Sequence, residues 1–551
     1  MEKMPVEIIE RICANLCLHC QSASPFVHQD TPDPIEDKSA LASFSASCSS
    51  LQAIVQPIVF HYYSMGHAFN HTRAVDPERY DTLPLFLRSV IERPDLALCV
   101  RSLQLVSTTP IPFRNSTLDT PLLQILNAAS RRFGLGDGDM IPPTEAEWKR
   151  MVWQDGIPDD MPLILIAKQE ELFDTRMAHW LQELALMLLP SVASLFLTRS
   201  GVRTQYHCLA KNAQSPVPAA RATLPALKRA ILTGDTYAPW HIAHAASLFE
   251  AAPNLEELCA LDCGHERASP GEEIFMPGYQ DRSWNFPVAA NLRRLLIEDI
   301  TLEELKRLLV FCPALEELHY RKSKVTNWSA THNERRFCRQ VSDALAPVAN
   351  ALRVLVLAYK TETQQGRFTH TPHRYEDSLL KDITDPISTL ANLTRLETLI
   401  LEQASLYPVA ARAYWDHQHL AGLDDDDIDP RLADILPSSI RRLSITHVYR
   451  SFRKEMQQLV AAAPTRFPQL EVVSISAVRP PSSRFHEQVK RDWETVSWFF
   501  ERSNIRLHLS AQTDEADRLR GAEDTKALLV LKKPVRLFLT GGSAFGGASE
   551  H

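Results

Sequence analysis

One short pattern sets the limits on what this chain can fold into: an aliphatic residue, two of any kind, a second aliphatic, one of any kind, a third. It stands at Val100, Leu103 and Leu105, at Val192, Leu195 and Leu197, and at Leu292, Leu295 and Ile297. It returns at Leu315, Leu318 and Tyr320, at Leu352, Leu355 and Leu357, and at Leu396, Leu399 and Leu401. Ile440, Leu443 and Ile445 repeat it, as do Leu470, Val473 and Ile475, while Leu255 and Leu258 carry a shortened form. A single copy has no meaning, but recurrence at fixed internal spacing marks an array in which each unit buries the apolar face of the next.

The stretch NLRRLLIEDITLEELKRLLVFCPALEELHY shows what one unit folds into. Leu292 to Ile297 is short and aliphatic, which predicts a strand. Thr301, with Glu304 three residues on, has the composition of a capping box, and Leu302, Leu305, Leu308 and Leu309 follow at helical spacing until Pro313. A strand, a helix and a second strand at this interval predict parallel strands joined by helical crossovers. On these residues the region 99–510 resembles the leucine-rich repeat, which implies inner parallel strands and outer helices along an arc. The intervals are uneven, with insertions at Glu266 to Arg282 and Glu362 to Tyr375, and the Asn or Cys that usually ends the repeat is mostly missing. The expected fold is therefore α/β, an irregular solenoid; a doubly wound α/β domain built of similar units is the alternative.

The N-terminal residues follow a different rule. In MPVEIIERICANL, Met4 to Leu16, Pro5 sits where a helix tolerates a missing N–H, and Glu7 and Glu10 place negative charge near the positive end. Ile8, Ile9, Ile12 and Leu16 make an apolar stripe. A second helical stretch within Ala40 to Ser64 carries Leu41, Phe44, Cys48, Leu51 and Val55 and is expected to break at Pro57. The two stripes are expected to pack on each other. These residues resemble the F-box, particularly as it occurs in fungal proteins. Its usual short connection is here the long CLHCQSASPFVHQDTPDPIEDK, read as an inserted loop over about 17–38. The resemblance implies a small adaptor subunit as partner, bound to a cullin scaffold and a RING ubiquitin ligase. Carried over residue by residue, the adaptor-binding positions are Met4, Pro5, Ile8, Ile9, Leu41, Phe44, Cys48 and Leu51. Without a partner the same residues would form only a local helical hairpin.

The expected organisation is a helical module over 1–64, a linker helix within 65–98 (Thr82 to Glu92), the repeats over 99–510, and a C-terminal segment over 511–551. In that last segment KALLVLKKPVRLFLT suits one or two capping strands and GGSAFGGASEH a flexible tail. Residues 107–185 resist assignment, apart from an amphipathic helix expected from about Leu163 to Leu189. A length of 551 residues exceeds one ordinary core, and 45% hydrophobic with 23% charged residues is globular composition. A net charge of −8 opposes a nucleic-acid surface, which needs clustered cations. No apolar run has the length of a membrane span, and acidic Glu2 before an amphipathic helix is unlike a secretory signal. Cysteines in apolar runs, such as Cys259 and Cys312, suit a reducing compartment, so cytoplasm or nucleus is expected.

Catalytic and metal motifs are weak. Cys13, Cys17 and Cys20 have the C-x3-C-x2-C spacing of a cluster-binding loop, with His19 and His28 nearby as zinc-type donors. Cys13 falls inside the first helix and no glycine precedes Gly66, so a helix cysteine and two loop thiols are expected, with no metal or cofactor. Asp424 to Asp427 with Asp429 lack the Gly and terminal Glu of a calcium loop, Asp137 and Asp139 lie in a Gly-rich stretch without the Lys-Ser/Thr of a phosphate cradle, and His241 and His244 have no Glu between them. The expected function is non-catalytic: the substrate-recognition subunit of a cullin-RING ubiquitin ligase, its repeats holding a protein substrate of unknown identity. A protein-interaction scaffold with no ligase connection is the alternative.

Overall fold

The structure is a computed structural model that describes residues 4–21, 34–64, 82–105, 120–133, 177, 180–199, 224–234, 242–261, 263, 287–298, 300–322, 337–359, 387–406, 431–448, 452–478 and 493–512. The chain divides into two compact units, Met1–Leu315 and Glu316–His551.

The first unit opens with four helices: α1 (Val6–Ala14), α2 (Leu18–Gln21), α3 (Pro34–Ala46) and α4 (Ser49–Val59). Pro5 precedes α1 in an extended conformation, and its carbonyl accepts the N–H groups of Ile8 and Ile9 at 3.0 and 3.3 Å, so the proline starts the helix as expected. Two expectations need correction. The stretch taken as an inserted loop over 17–38 contains α2 and the first turn of α3, which begins at Pro34, a residue preset for a first helical position. The second helical stretch breaks not at Pro57 but at Cys48, extended at φ −161° and ψ 160°, while Pro57 is carried in the last turn of α4.

Among the described residues six strands follow in the first unit: β1 (Tyr62–Ser64), β2 (Ser102–Leu105), β3 (Ser194–Arg199), β4 (Arg229–Gly234), β5 (Glu257–Leu261) and β6 (Arg294–Glu298). Each pairs in parallel with the next in chain order. The second unit repeats the arrangement with β7 (Glu317–Lys322), β8 (Val354–Tyr359), β9 (Thr398–Glu402), β10 (Arg442–Val448), β11 (Val472–Val478) and β12 (Arg506–Gln512). Each unit is thus a solenoid-like run of parallel strands with helices in the crossovers. The helix expected over Thr82 to Glu92 is present with those bounds, and the capping box at the start of Leu302–Val310 is formed in both directions. A helix over Thr120–Arg132 lies in the stretch that resisted assignment, and residues 177 and 180–188 are helical within the span expected from about Leu163 to Leu189. Residues 180–187 are buried on every side, Gln182 and Glu183 included, so the described part is a core helix and not an amphipathic one. The capping strands expected in 511–551 fall, beyond Gln512, outside the described residues.

Register explains why the aliphatic pattern recurs. Leu103, Leu195, Ala230, Leu258 and Leu295 stand beside one another on successive strands of the first unit. Leu318, Leu355, Leu399, Leu443 and Val473 do the same in the second, and all ten are sealed from solvent. Ahead of each strand one carbonyl accepts two consecutive N–H groups from the following unit. In the first unit these are His61 to Arg101 and Ser102, Arg101 to Ala193 and Ser194, Ala193 to Lys228 and Arg229, and so on to Arg293 and Arg294. Stacking in register would set like charges side by side if the units were identical. The chain avoids this by alternation: Lys228 and Glu256 pair at 3.0 Å in the first unit, and in the second Glu316, Arg353, Glu397, Arg441 and Glu471 alternate in sign along the same position.

Candidate functional site

Two features of the first unit could carry function, and both lie in the helical module. Its core is built from Ile9, Cys13, Cys17, Leu41, Leu51, Val55, Ile58 and Tyr62, with Leu16, Phe44, Cys48, Ile54 and Val59 packed against it. In α1 the residues Ile9 and Cys13 face this core at a spacing of four, and Cys17 continues the line past the helix end. The neighbouring line, Met4, Ile8 and Ile12, is open, at 39, 45 and 41% exposure, and Val6 adds another exposed aliphatic at 47%.

The eight positions read as adaptor contacts therefore separate into groups. Met4, Pro5 and Ile8 are exposed, Ile9, Leu41 and Leu51 are buried in the module's own core, and Phe44 and Cys48 are half-buried at its edge. Val6 and Ile12 were missing from that set. Ile12 was legible as the i+4 partner of Ile8 on the open line, whereas nothing in the pattern marks Val6 as exposed.

The second feature is a group of donors at the junction of the helices with the first strand. Cys17, His19, Cys20 and His61 bring their ligand atoms within 4.8 Å of one another. His61 Nδ1 lies 3.4 Å from Cys20 Sγ and 3.9 Å from Cys17 Sγ, and His19 Nδ1 lies 3.8 Å from Cys20 Sγ. The two imidazole rings meet edge to face, with centroids 5.6 Å apart. Local folding places the first three: the Cys17 carbonyl accepts the N–H groups of Cys20 and Gln21 at 2.9 and 3.0 Å, which turns both thiols onto one face of α2. The fourth is fixed from both sides, since the His61 N–H donates to the Ile58 carbonyl at the end of α4 and the His61 carbonyl takes the N–H groups of Arg101 and Ser102.

Electrostatics at the junction keep the imidazole neutral and the Cys20 thiol protonated. Burial, with His19 and Arg101 adding to it, lowers His61 to about 4. Desolvation on its packed side and then the neighbouring Cys17 push the Cys20 thiol up to about 12, although its outer edge remains open to solvent. Lys38 of α3 donates to the Tyr62 carbonyl at 3.0 Å and lies over the Tyr62 ring; burial lowers it to about 8, with Cys17 acting in the opposite sense.

Of the two expected loop thiols, Cys17 does lie in the connection between α1 and α2, where it is fully buried, whereas Cys20 belongs to α2. Cys13 is not part of the donor group, so the three-cysteine spacing is not what the fold assembles. His28, Asp137, Asp139, Asp424 to Asp427, Asp429 and His241 lie outside the described residues. Among the described residues no helix is long and apolar enough to cross a membrane. No protein-family model matches the chain, and no curated protein sequence matches it significantly.

Proposed function

We propose that the chain is a non-catalytic substrate receptor of a cullin-RING ubiquitin ligase, with α1 to α4 acting as an F-box and the strands as an irregular leucine-rich-repeat domain. The observation that carries the reading is the open line Met4, Ile8 and Ile12 beside a filled core. A helix that already has a packed face gains nothing within the chain from a second apolar face. Covering the open part of one such half-covered aliphatic side chain is worth roughly 1 kcal/mol, which a partner can supply.

The partner in this reading is the adaptor that links an F-box to the cullin scaffold. A substrate protein would bind the second unit, where one face of the sheet opens along the strands: Val356 is buried, Ile400, Ser444 and Ser474 are half-buried, and His508 is exposed. Such a receptor supplies effective concentration and orientation to the transfer of ubiquitin, and no bond chemistry of its own. A plain interaction scaffold would use the same open face, so the adaptor contact separates the two readings.

Substitutions must spare the core. Ile9 is 4% exposed, and an aspartate there would bury an unpaired charge and unfold the module whatever its partners. Ile8→Asp with Ile12→Asp places both charges on the open line. The double variant is expected to keep its helical circular dichroism and to lose adaptor and cullin from affinity-purified full-length protein. Equal recovery of adaptor with the variant and the parent would reject the proposal.

A further inference from the structure

We infer that Cys17, His19, Cys20 and His61 form a structural zinc site that fastens the helical module to the first strand of the sheet. A tetrahedral ion with bonds of about 2.3 Å to sulfur and about 2.0–2.1 Å to nitrogen holds its donors about 3.3–3.8 Å apart. The separations of 3.4 and 3.8 Å between these sulfurs and nitrogens lie within that spacing, 3.9 Å lies just beyond it, and all four atoms fall within 4.8 Å of one another, so closure draws the donors together by about 1 Å at most. Two sulfurs and two imidazoles are a zinc donor set, softer than calcium or magnesium accepts. A two-iron cluster with the same donors holds the cysteines and the histidines on separate irons, whereas here sulfur and nitrogen lie 3.4 to 3.9 Å apart, the spacing of donors to a single ion.

Charge favours the same ion. Each thiol gives its proton to solvent as its sulfur–zinc bond forms, while the two neutral imidazoles donate lone pairs. One dication is therefore taken up, two protons are released, and the completed site is neutral. A neutral site costs far less to bury beside Cys13, Val55 and Ile58 than a bare cation would. The Lys38 ammonium beside Cys17 would stabilise that thiolate from outside the first ring of ligands. The exposed edge of Cys20 leaves a path for entry.

The consequence is mechanical. Cys20 and His61 are 41 residues apart in sequence, and His61 carries the first carbonyl of the repeating ladder. An ion at this point ties the ends of α1 and α4 to the start of the sheet. It would fix the direction in which the open line of α1 points. The inference does not need that line to bind an adaptor.

The test uses full-length protein purified under reducing conditions, dialysed against zinc and then against metal-free buffer, with metal measured by plasma mass spectrometry. About one zinc per chain is expected for the parent and for Cys99→Ser, whose thiol lies elsewhere, and none for Cys20→Ser, whose exposed position spares the fold. Cobalt in place of zinc should give the strong visible bands of a tetrahedral site with thiolate charge transfer in the near ultraviolet. A strong chelator should lower the melting temperature of the parent and leave that of Cys20→Ser unchanged. A parent protein that retains no metal, a Cys17→Ser/Cys20→Ser variant that retains all of it, or a Cys17–Cys20 disulfide in the reduced preparation would each overturn the site. None of these outcomes depends on the adaptor, so the two proposals fail separately.

Discussion

The repeated strands and the N-terminal helices solve the burial of aliphatic side chains in opposite ways. In the strands each apolar residue stands beside the equivalent residue of the next unit, so Leu318, Leu355, Leu399 and Leu443 cover one another and all are at most 1% exposed. In α1 two adjacent lines of the same helix part company: Ile9 and Cys13 are sealed, while Ile8 and Ile12 are more than 40% exposed. Repetition gives the stacked position of each of these strands a neighbour of its own kind, although single aliphatics of the repeats such as Val310, at 60% exposure, stay open. A single-copy helix has no such neighbour, and among the described residues the line through Ile8 and Ile12 stays open.

The sharpest challenge to this contrast is made inside the strands. Leu355→Ala removes a fully buried side chain flanked by Leu318 and Leu399. It is expected to cost about 2–5 kcal/mol, read as a lower urea midpoint. A cost below 1 kcal/mol would mean that the stacked position does not carry the core. Next comes the crossover helix Leu302–Val310. Thr301→Ala removes the hydroxyl that accepts the Glu304 N–H at 3.2 Å and donates to the Glu304 carboxylate at 2.9 Å, while the Thr301 backbone N–H keeps its bond to that carboxylate, and about 1 kcal/mol should be lost in the same measurement.

Smaller still is the charged ladder. Arg353 makes a two-pronged contact with Glu397, both bonds at 3.0 Å, and that guanidinium holds the Glu397 carboxyl below the usual carboxylate range. Both side chains are more than a third exposed, so solvent screens the pair and Arg353→Ala should cost about 0.2–1 kcal/mol, less at high salt. The smallest change in stability is expected at Ile8→Asp, within about 0.5 kcal/mol, because its side chain already faces water. A large loss there would place Ile8 in the core and remove the difference between the two lines.

The strands that spell the aliphatic pattern were legible from the sequence, because parallel stacking in register demands a buried residue at the same place in each unit. Those that were missed carry other residues there. In β1 the position beside Leu103 is Tyr63, in β4 it is Ala230 between Leu195 and Leu258, and β12 has Asn504 ahead of Leu507 and Leu509. An aromatic or an alanine fills the site as well as a leucine when the neighbours adjust, so a search restricted to aliphatics passes over it.

The donor group was half legible. Cys17, His19 and Cys20 are local, and their spacing invites a metal reading by itself. His61 joins them only because α4 ends where the first strand begins, a fact of tertiary structure that no local spacing encodes. The same reason divides the expected adaptor contacts, since periodicity identifies apolar residues of a helix without saying which of two adjoining lines its own chain will cover.

The account rests on the open line of α1 being a place for a second polypeptide, and affinity purification of the full-length chain from cells that supply adaptor and cullin tests this most directly. The parent protein should bring both down, and Ile8→Asp/Ile12→Asp, folded by circular dichroism, should bring down neither. Recovery of neither by the parent, or of both by the variant, would contradict it.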